Sequence, residues 1–113
     1  MKRGEVYLCP LGRRGESGQE VVVPVIVLTR NAINEYGPVV VVAPIVDSDI
    51  TSRYPSDIPV RAPEGGLTVD GLILTMQVRA VSRRLLRHLL GTLSANTLTE
   101  VDHALRITLD LEE

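Results

Sequence analysis

Two β-branched runs, Val21-Val22-Val23-Pro24-Val25-Ile26-Val27-Leu28 and Val39-Val40-Val41-Val42-Ala43-Pro44-Ile45-Val46, decide how this chain folds. Each is too short for a typical helix and well suited to a buried strand. Pro24 lacks a backbone donor, which places it at an edge or a bulge. Between the runs, Asn34, Gly37 and Pro38 are turn residues, so Asn31 to Pro38 reads as a turn and the two strands as close neighbours.

Upstream, Val6, Leu8 and Pro10 alternate with Tyr7 and Cys9 behind Gly4, the period of a short half-buried strand. Leu11 to Glu20 is rich in glycine and charge, lacks an apolar period, and reads as a mobile loop. Downstream, Asp47 to Ser52 is polar, Tyr54-Pro55 opposes helix, and Ile58 to Val60 is a short extended segment before the turn Glu64-Gly65-Gly66. Leu72 to Val81 alternates as one strand, with Gln77 and Arg79 on its polar face. Ser82 is placed to cap a helical turn through Arg83 to Arg87, and His88 to Leu93 forms a last strand. Ser94 to Leu111 is the clearest helix: Leu98, Val101, Leu105 and Thr108 or Leu109 share a face, and Thr97 with Glu100 is spaced for a capping box. Many short strands with one terminal helix predict a mainly β (α+β) fold, a small barrel or curled sheet.

At 113 residues, 44% hydrophobic and 23% charged, the chain has the size of one domain, taken as 1–113. No apolar run approaches the roughly 18 residues of a membrane helix. Met1-Lys2-Arg3-Gly4-Glu5 does not begin a signal peptide, so a cytoplasmic protein is expected. A lone Cys9 and two distant histidines give neither a disulfide nor a zinc pattern. The net charge of -2 does not advertise nucleic-acid binding, but its distribution is uneven: residues 94–113 hold five acids against Arg106. Lys2 is the single lysine beside eleven arginines, whose planar forks suit phosphate; an arginine-favouring genome explains the bias equally well. Three tyrosines exclude a broad stacking platform for bases, so any RNA site works through hydrogen bonds and charge.

Gly4-Glu5-Val6-Tyr7, Pro24-Val25-Ile26-Val27-Leu28-Thr29-Arg30-Asn31, Val42-Ala43-Pro44-Ile45, Tyr54-Pro55-Ser56-Asp57-Ile58-Pro59-Val60, Gly66-Leu67, Gln77-Val78-Arg79, Leu93-Ser94 and Glu100-Val101-Asp102-His103-Ala104-Leu105 follow one another at telling intervals. In order and spacing, along almost the whole chain, this series resembles the MazF/PemK toxins. The resemblance implies an SH3-like barrel with a C-terminal helix and a homodimer. It further implies the toxin of a type II toxin-antitoxin system, a sequence-specific endoribonuclease that cuts single-stranded mRNA with no metal or other cofactor. A cognate antitoxin would cover the RNA groove with an acidic, flexible tail.

Metal-independent cleavage drives the 2′-hydroxyl onto its own phosphorus and needs a base, an acid and a cation for the phosphorane charge. The family supplies an arginine just before the Pro-Val strand and a hydroxyl just after the Ala-Pro strand; here those positions hold Val23 and Val46. Arg13 and Arg14 on the glycine-rich loop, with Ser48 and Thr51 near Val46, are the catalytic substitutes at hand, against the plainer readings of solvated charges and turn-stabilising hydroxyls. Arg30, Arg53, Tyr54, Gln77 and Arg79 are the RNA-binding candidates, although Gln77 and Arg79 equally suit structural polar pairing and Arg53 with Tyr54 a rim. Asp47 and Asp49 offer a base or a cation site, yet as loop acids they would sooner repel phosphate. Arg83, Arg84, Arg87 and His88 read as a phosphate-binding strip, against the plainer readings of a solvated helix face or a dimer rim. Nothing in the spacing joins His88 to His103 as a two-histidine nuclease, and Cys9 reads as an inert buried thiol.

A second class of function keeps the fold and loses the nuclease. It is a protein-binding toxin, as the related CcdB fold poisons DNA gyrase, or a dimer that binds RNA or antitoxin without cutting. The missing tryptophan and the ending Leu111-Glu112-Glu113 count against the gyrase variant. A plain dimeric scaffold is the third reading. Fragmentation of RNA separates the first class from the others.

Overall fold

The computed structural model describes residues 1–14, 18–47 and 54–111, with the backbone alone at Arg13, Arg14 and Gln19. The strands are β1 (Glu5–Arg14), β2 (Gln19–Val27), β3 (Val39–Asp47), β4 (Asp57–Val60), β5 (Gly71–Leu74), β6 (Arg79–Ser82) and β7 (Arg87–Thr92). Two α-helices, α1 (Asn31–Tyr36) and α2 (Ala95–Leu109), join them. The strands form one curled antiparallel sheet in the order β4-β5-β3-β2-β1-β7, with β6 paired to β3.

The two β-branched runs explain this arrangement, because strands apolar on both faces need cover on both faces. On the inner face, Val6, Ile26, Ala43, Ile45, Ile58 and Ile73 pack against Val101 and Ala104 of α2. On the other face, Cys9, Val25, Val40 and Val42 make a second cluster under Met1, Leu11, Val81 and Leu86. Pro24 is not on an outer strand, since β2 lies between β1 and β3. It stands opposite Leu8, one residue beyond the Val25–Val27 ladder with β3, where β2 is locally an edge and a missing donor is tolerated.

Several local expectations are corrected. The segment read as a loop from Leu11 to Glu20 is largely strand: β1 runs to Arg14 and β2 starts at Gln19, and a register shift between Pro10 and Arg13 spans Gly12 at φ 121. The turn at Asn31 to Pro38 contains α1. Its buried Asn34 donates to the Thr29 carbonyl at 2.7 Å, a tertiary anchor that local propensity does not show. The strand read from Leu72 to Val81 breaks into β5 and β6 around a 3-10 turn at Thr75–Gln77, where Thr75 is buried and bonds the Ser56 carbonyl at 2.6 Å. A 3-10 turn does cover Arg83–Leu85, but Ser82 makes no side-chain cap and the strand resumes at Arg87.

Helix α2 is capped differently from the expected pair. Ser94 accepts from the Thr97 amide at 3.2 Å, and Glu64, from a turn far away in sequence, accepts from the Ser94 amide at 3.0 Å. Glu64 thus takes the part that a glutamate inside the helix plays in an ordinary capping box. Its turn is tight: an added Cβ on Gly66, at φ 76, would land on the Leu90 carbonyl. Midway along α2, Arg3 fastens the helix to the N-terminal segment through Asp102 at 2.6 Å, while its Nε donates to the Leu28 carbonyl.

Burial alone would raise the Glu64 pKa, but hydrogen bonds from Thr97 and Ser94 prevail and hold it below the usual 4.5. The cap's ionised stabilisation is therefore complete above pH 4.5 and is lost as pH falls through the lower folded-state value. Glu64→Gln is expected to be less stable than the wild type at neutral pH, with the difference narrowing as the pH is taken down from 4.5 in urea titrations.

Candidate nucleic-acid interface

The register fixes which side chains share a face. Cys9 opposes Val23, Val25 opposes Pro44, Val27 opposes Val42, and Val42 opposes Arg79. Directly opposed residues lie on the same face and alternate residues along a strand rejoin it, so Val23, Val46 and Arg79 belong to one side of the sheet. Val23 packs on the second apolar cluster, and both valines are only half-buried. No cation or hydroxyl comes from these two positions.

Arg79 is exposed at the start of β6. Among the described residues its guanidinium makes only long contacts to its neighbour, 3.4 Å to the Gln77 carbonyl and 3.5 Å to Gln77 Oε1. Such contacts are weak enough for a phosphate to replace. Gln77 and Arg79 do not share the face of one strand, as the alternation implied; Gln77 lies in the 3-10 turn and Arg79 beyond it. They meet because the arginine folds back.

Gln77 also lines a groove of about 710 Å³, whose other walls include Tyr54, Pro55, Met76 and Ile107. Tyr54 is 77% exposed and Met76 68%. The structure thus brings Tyr54, Gln77 and Arg79 into one region. Arg30 stands elsewhere, exposed at the N-terminus of α1 with no capping bond. The backbones of Arg13 and Arg14 pair with Glu20 and Gln19 near the end of the β1–β2 hairpin. Ser48, Asp49, Thr51 and Arg53 lie outside the described residues. Asp47 ends β3 and is exposed, and among the described residues no acidic, histidine or cysteine cluster is arranged for a metal.

The basic strip is divided. Arg83 donates to the Glu35 carbonyl at 3.2 Å, Arg84 is exposed, and Arg87 pairs with Glu20 at 3.3 Å. His88, at φ 52, is on β7, whereas His103 is on α2 beside Pro55 and Glu100. The Arg87–Glu20 pair was not legible in sequence, because it depends on how β7 and β2 flank β1.

Cys9 is wholly buried, and its thiol contacts the Pro10 carbonyl at 3.6 Å. Burial pushes the thiol pKa up, against the smaller opposing pull of Arg87 and Arg79. The native protein should resist alkylation by iodoacetamide at pH 7.5, and denaturation in urea should raise the labelling rate by at least about tenfold, followed by mass spectrometry.

Residues 2–109 match the family described as PemK-like, MazF-like toxin of type II toxin-antitoxin system. The endoribonuclease MazF of Staphylococcus epidermidis is 34% identical over 111 residues, covering 98% of this chain and 92% of that protein. Among solved structures, an endoribonuclease in complex with its cognate antitoxin from a mycobacterial species superposes with a TM-score of 0.83 at 22% identity, covering 100% of this chain and 98% of that one. A MazE–MazF structure from Deinococcus radiodurans gives 0.81 at 22% identity, covering 99% and 97%. The curled sheet with its C-terminal helix is therefore the MazF fold, and the match over residues 2–109 shows that this chain belongs to the PemK-like, MazF-like toxin family of type II toxin-antitoxin systems.

Proposed function

We propose that this chain is the toxin of a type II toxin-antitoxin pair and cleaves single-stranded mRNA at short motifs as a metal-independent endoribonuclease. The observation that carries this is the relative named endoribonuclease MazF, which aligns with 98% of the chain at 34% identity. The reading also takes the 113 residues as a single domain working as a homodimer in the cytoplasm. Its antagonist is an antitoxin with an acidic, flexible tail. Arg79, exposed and weakly held, is the kind of group that such a tail and an RNA phosphate would both seek.

In the reaction, the 2′-oxygen forms a bond to phosphorus as the bond to the 5′-oxygen breaks. The 2′-hydroxyl proton is taken up by a base, and a proton is delivered to the leaving 5′-oxygen. The products are a 2′,3′-cyclic phosphate and a 5′-hydroxyl. With valine at positions 23 and 46, Arg13 or Arg14 would meet the phosphorane charge and Ser48 or Thr51 would supply the hydroxyl. Arg30, Arg53, Tyr54, Gln77 and Arg79 would hold the strand. Of these, Tyr54 and Gln77 flank one groove.

Purified protein incubated in EDTA with a long structureless RNA should yield fragments whose 5′-hydroxyl ends cluster at one short motif. A folded, antitoxin-free sample that makes no cuts would refute the nuclease and leave a toxin that acts by binding. Arg79→Ala should weaken binding of a single-stranded RNA about tenfold at low salt and lower the salt dependence by roughly one ion contact, measured by fluorescence anisotropy. Unchanged affinity would remove Arg79 from the interface.

A further inference from the structure

A second concave site opens at the mouth of the barrel, on the side of the sheet opposite Val23 and Val46. It encloses about 240 Å³ and is walled by Leu8, Pro24, Ile45 and Leu90, with Asp47 and Thr68 as polar groups. Drug-sized ligands occupy pockets of roughly 300–1,000 Å³, so this well suits one base or one side chain. Asp47 lies opposite Gly71, which puts no side chain in front of its carboxylate. It makes no ion pair among the described residues. Beyond the residues that wall the well, Leu8 pairs with Arg87 on the neighbouring strand β7, and the partner of Arg87, Glu20, is exposed and 3.3 Å away. The mouth thus offers apolar walls and a carboxylate, and the strand next to Leu8 carries a replaceable cation.

We propose that this well binds a guanine nucleotide of the RNA strand, with the base against Asp47 and the adjoining phosphate drawn to Arg87 in place of Glu20. The proposal rests on the RNA-cleaving function above and names a base that the protein selects. Guanine alone among the four bases carries two adjacent donors on its pairing edge, the N1–H and the 2-amino group. A carboxylate accepts both at once, as it does the fork of an arginine. Adenine and cytosine place an acceptor beside their donor, and uracil flanks its single N–H with two acceptors. Each would set an acceptor against the Asp47 carboxylate. Apolar walls sharpen this choice, since a base that fails to match leaves polar groups unpaired away from water. A lysine side chain of a protein partner would satisfy Asp47 but leaves Arg87 without a role, so the pair of opposite charges favours a nucleotide.

The test uses 2′-O-methyl RNA decamers, which lack an attackable hydroxyl, with one guanine, inosine, adenine or uracil in a cytidine background. By fluorescence anisotropy the guanine decamer should bind about tenfold tighter than the inosine decamer, which lacks the 2-amino donor. Asp47→Asn should erase that difference. Leu90→Trp, which fills the well and keeps the carboxylate, should erase it too, whereas Arg87→Gln should weaken all four decamers alike. Equal binding of guanine and inosine, or a preference that survives Asp47→Asn, overturns the proposal. So does displacement of the guanine decamer from the wild type, but not from Asp47→Asn, by a lysine peptide in the absence of base preference. Parallel digestion of unmodified RNA keeps the two readings apart. Guanine preference without cleavage upholds the well and refutes the nuclease, and cleavage without guanine preference does the reverse.

Discussion

Strand β3 is the constraint on which the rest of the molecule depends. Its nine residues pair with β2 through Val42–Pro44, with β6 through Val39–Val42 and with β5 through Ile45–Asp47. No other strand holds three partners, among those described. A shift of one residue would exchange its two faces, sending Val40 and Val42 toward the helix and Ala43 and Ile45 toward the second cluster. Because both faces are buried from Val42 to Ile45 and both edges are paired, that shift would disturb two cores and three ladders together. The uniformity of Val39–Val42 is tolerable only because those partners set the register from outside.

The same strand organises the two surfaces proposed for recognition. Its outer face leads from Val42 to Arg79 through β6, while its final residue, Asp47, reaches the barrel mouth. Arg79 and Asp47 are thus delivered to opposite sides of one sheet by the period of two. An anionic strand crossing the β6 side meets a guanidinium, whereas a carboxylate awaits whatever enters the mouth. The acid that looks unsuited to phosphate in sequence is therefore separated from Arg79 by the sheet itself.

The fold was largely legible because β-branched runs, a period-two first strand and a strongly amphipathic terminal segment all point toward a curled sheet with one helix. What escaped were elements set by distant partners. Asn34 turns a turn-forming segment into α1 by bonding Thr29, Thr75 breaks an alternating strand by reaching Ser56, and Glu64 replaces the expected Glu100 at the α2 cap. Gly12 read as a loop residue, yet a register shift lets β1 continue past it. The candidate site was legible in part. Gln77 and Arg79 were recognisable as a motif, but their approach to Tyr54 and the pairing of Arg87 with Glu20 exist only once β4, β6 and β7 have taken their places.

Glu64 gives α2 a dependence that its sequence does not display. Isolated helices of fifteen residues are marginal in water, and this one borrows a capping carboxylate from a turn thirty residues upstream. That turn is itself wedged against β7, where Gly65, Gly66 and Gly91 allow backbones to touch. Helix, turn and β7 consequently form one cooperative opening unit, whose amides should exchange with solvent as a group. A transplanted α2 would fray at its first turn unless Glu64 and its glycines travelled with it.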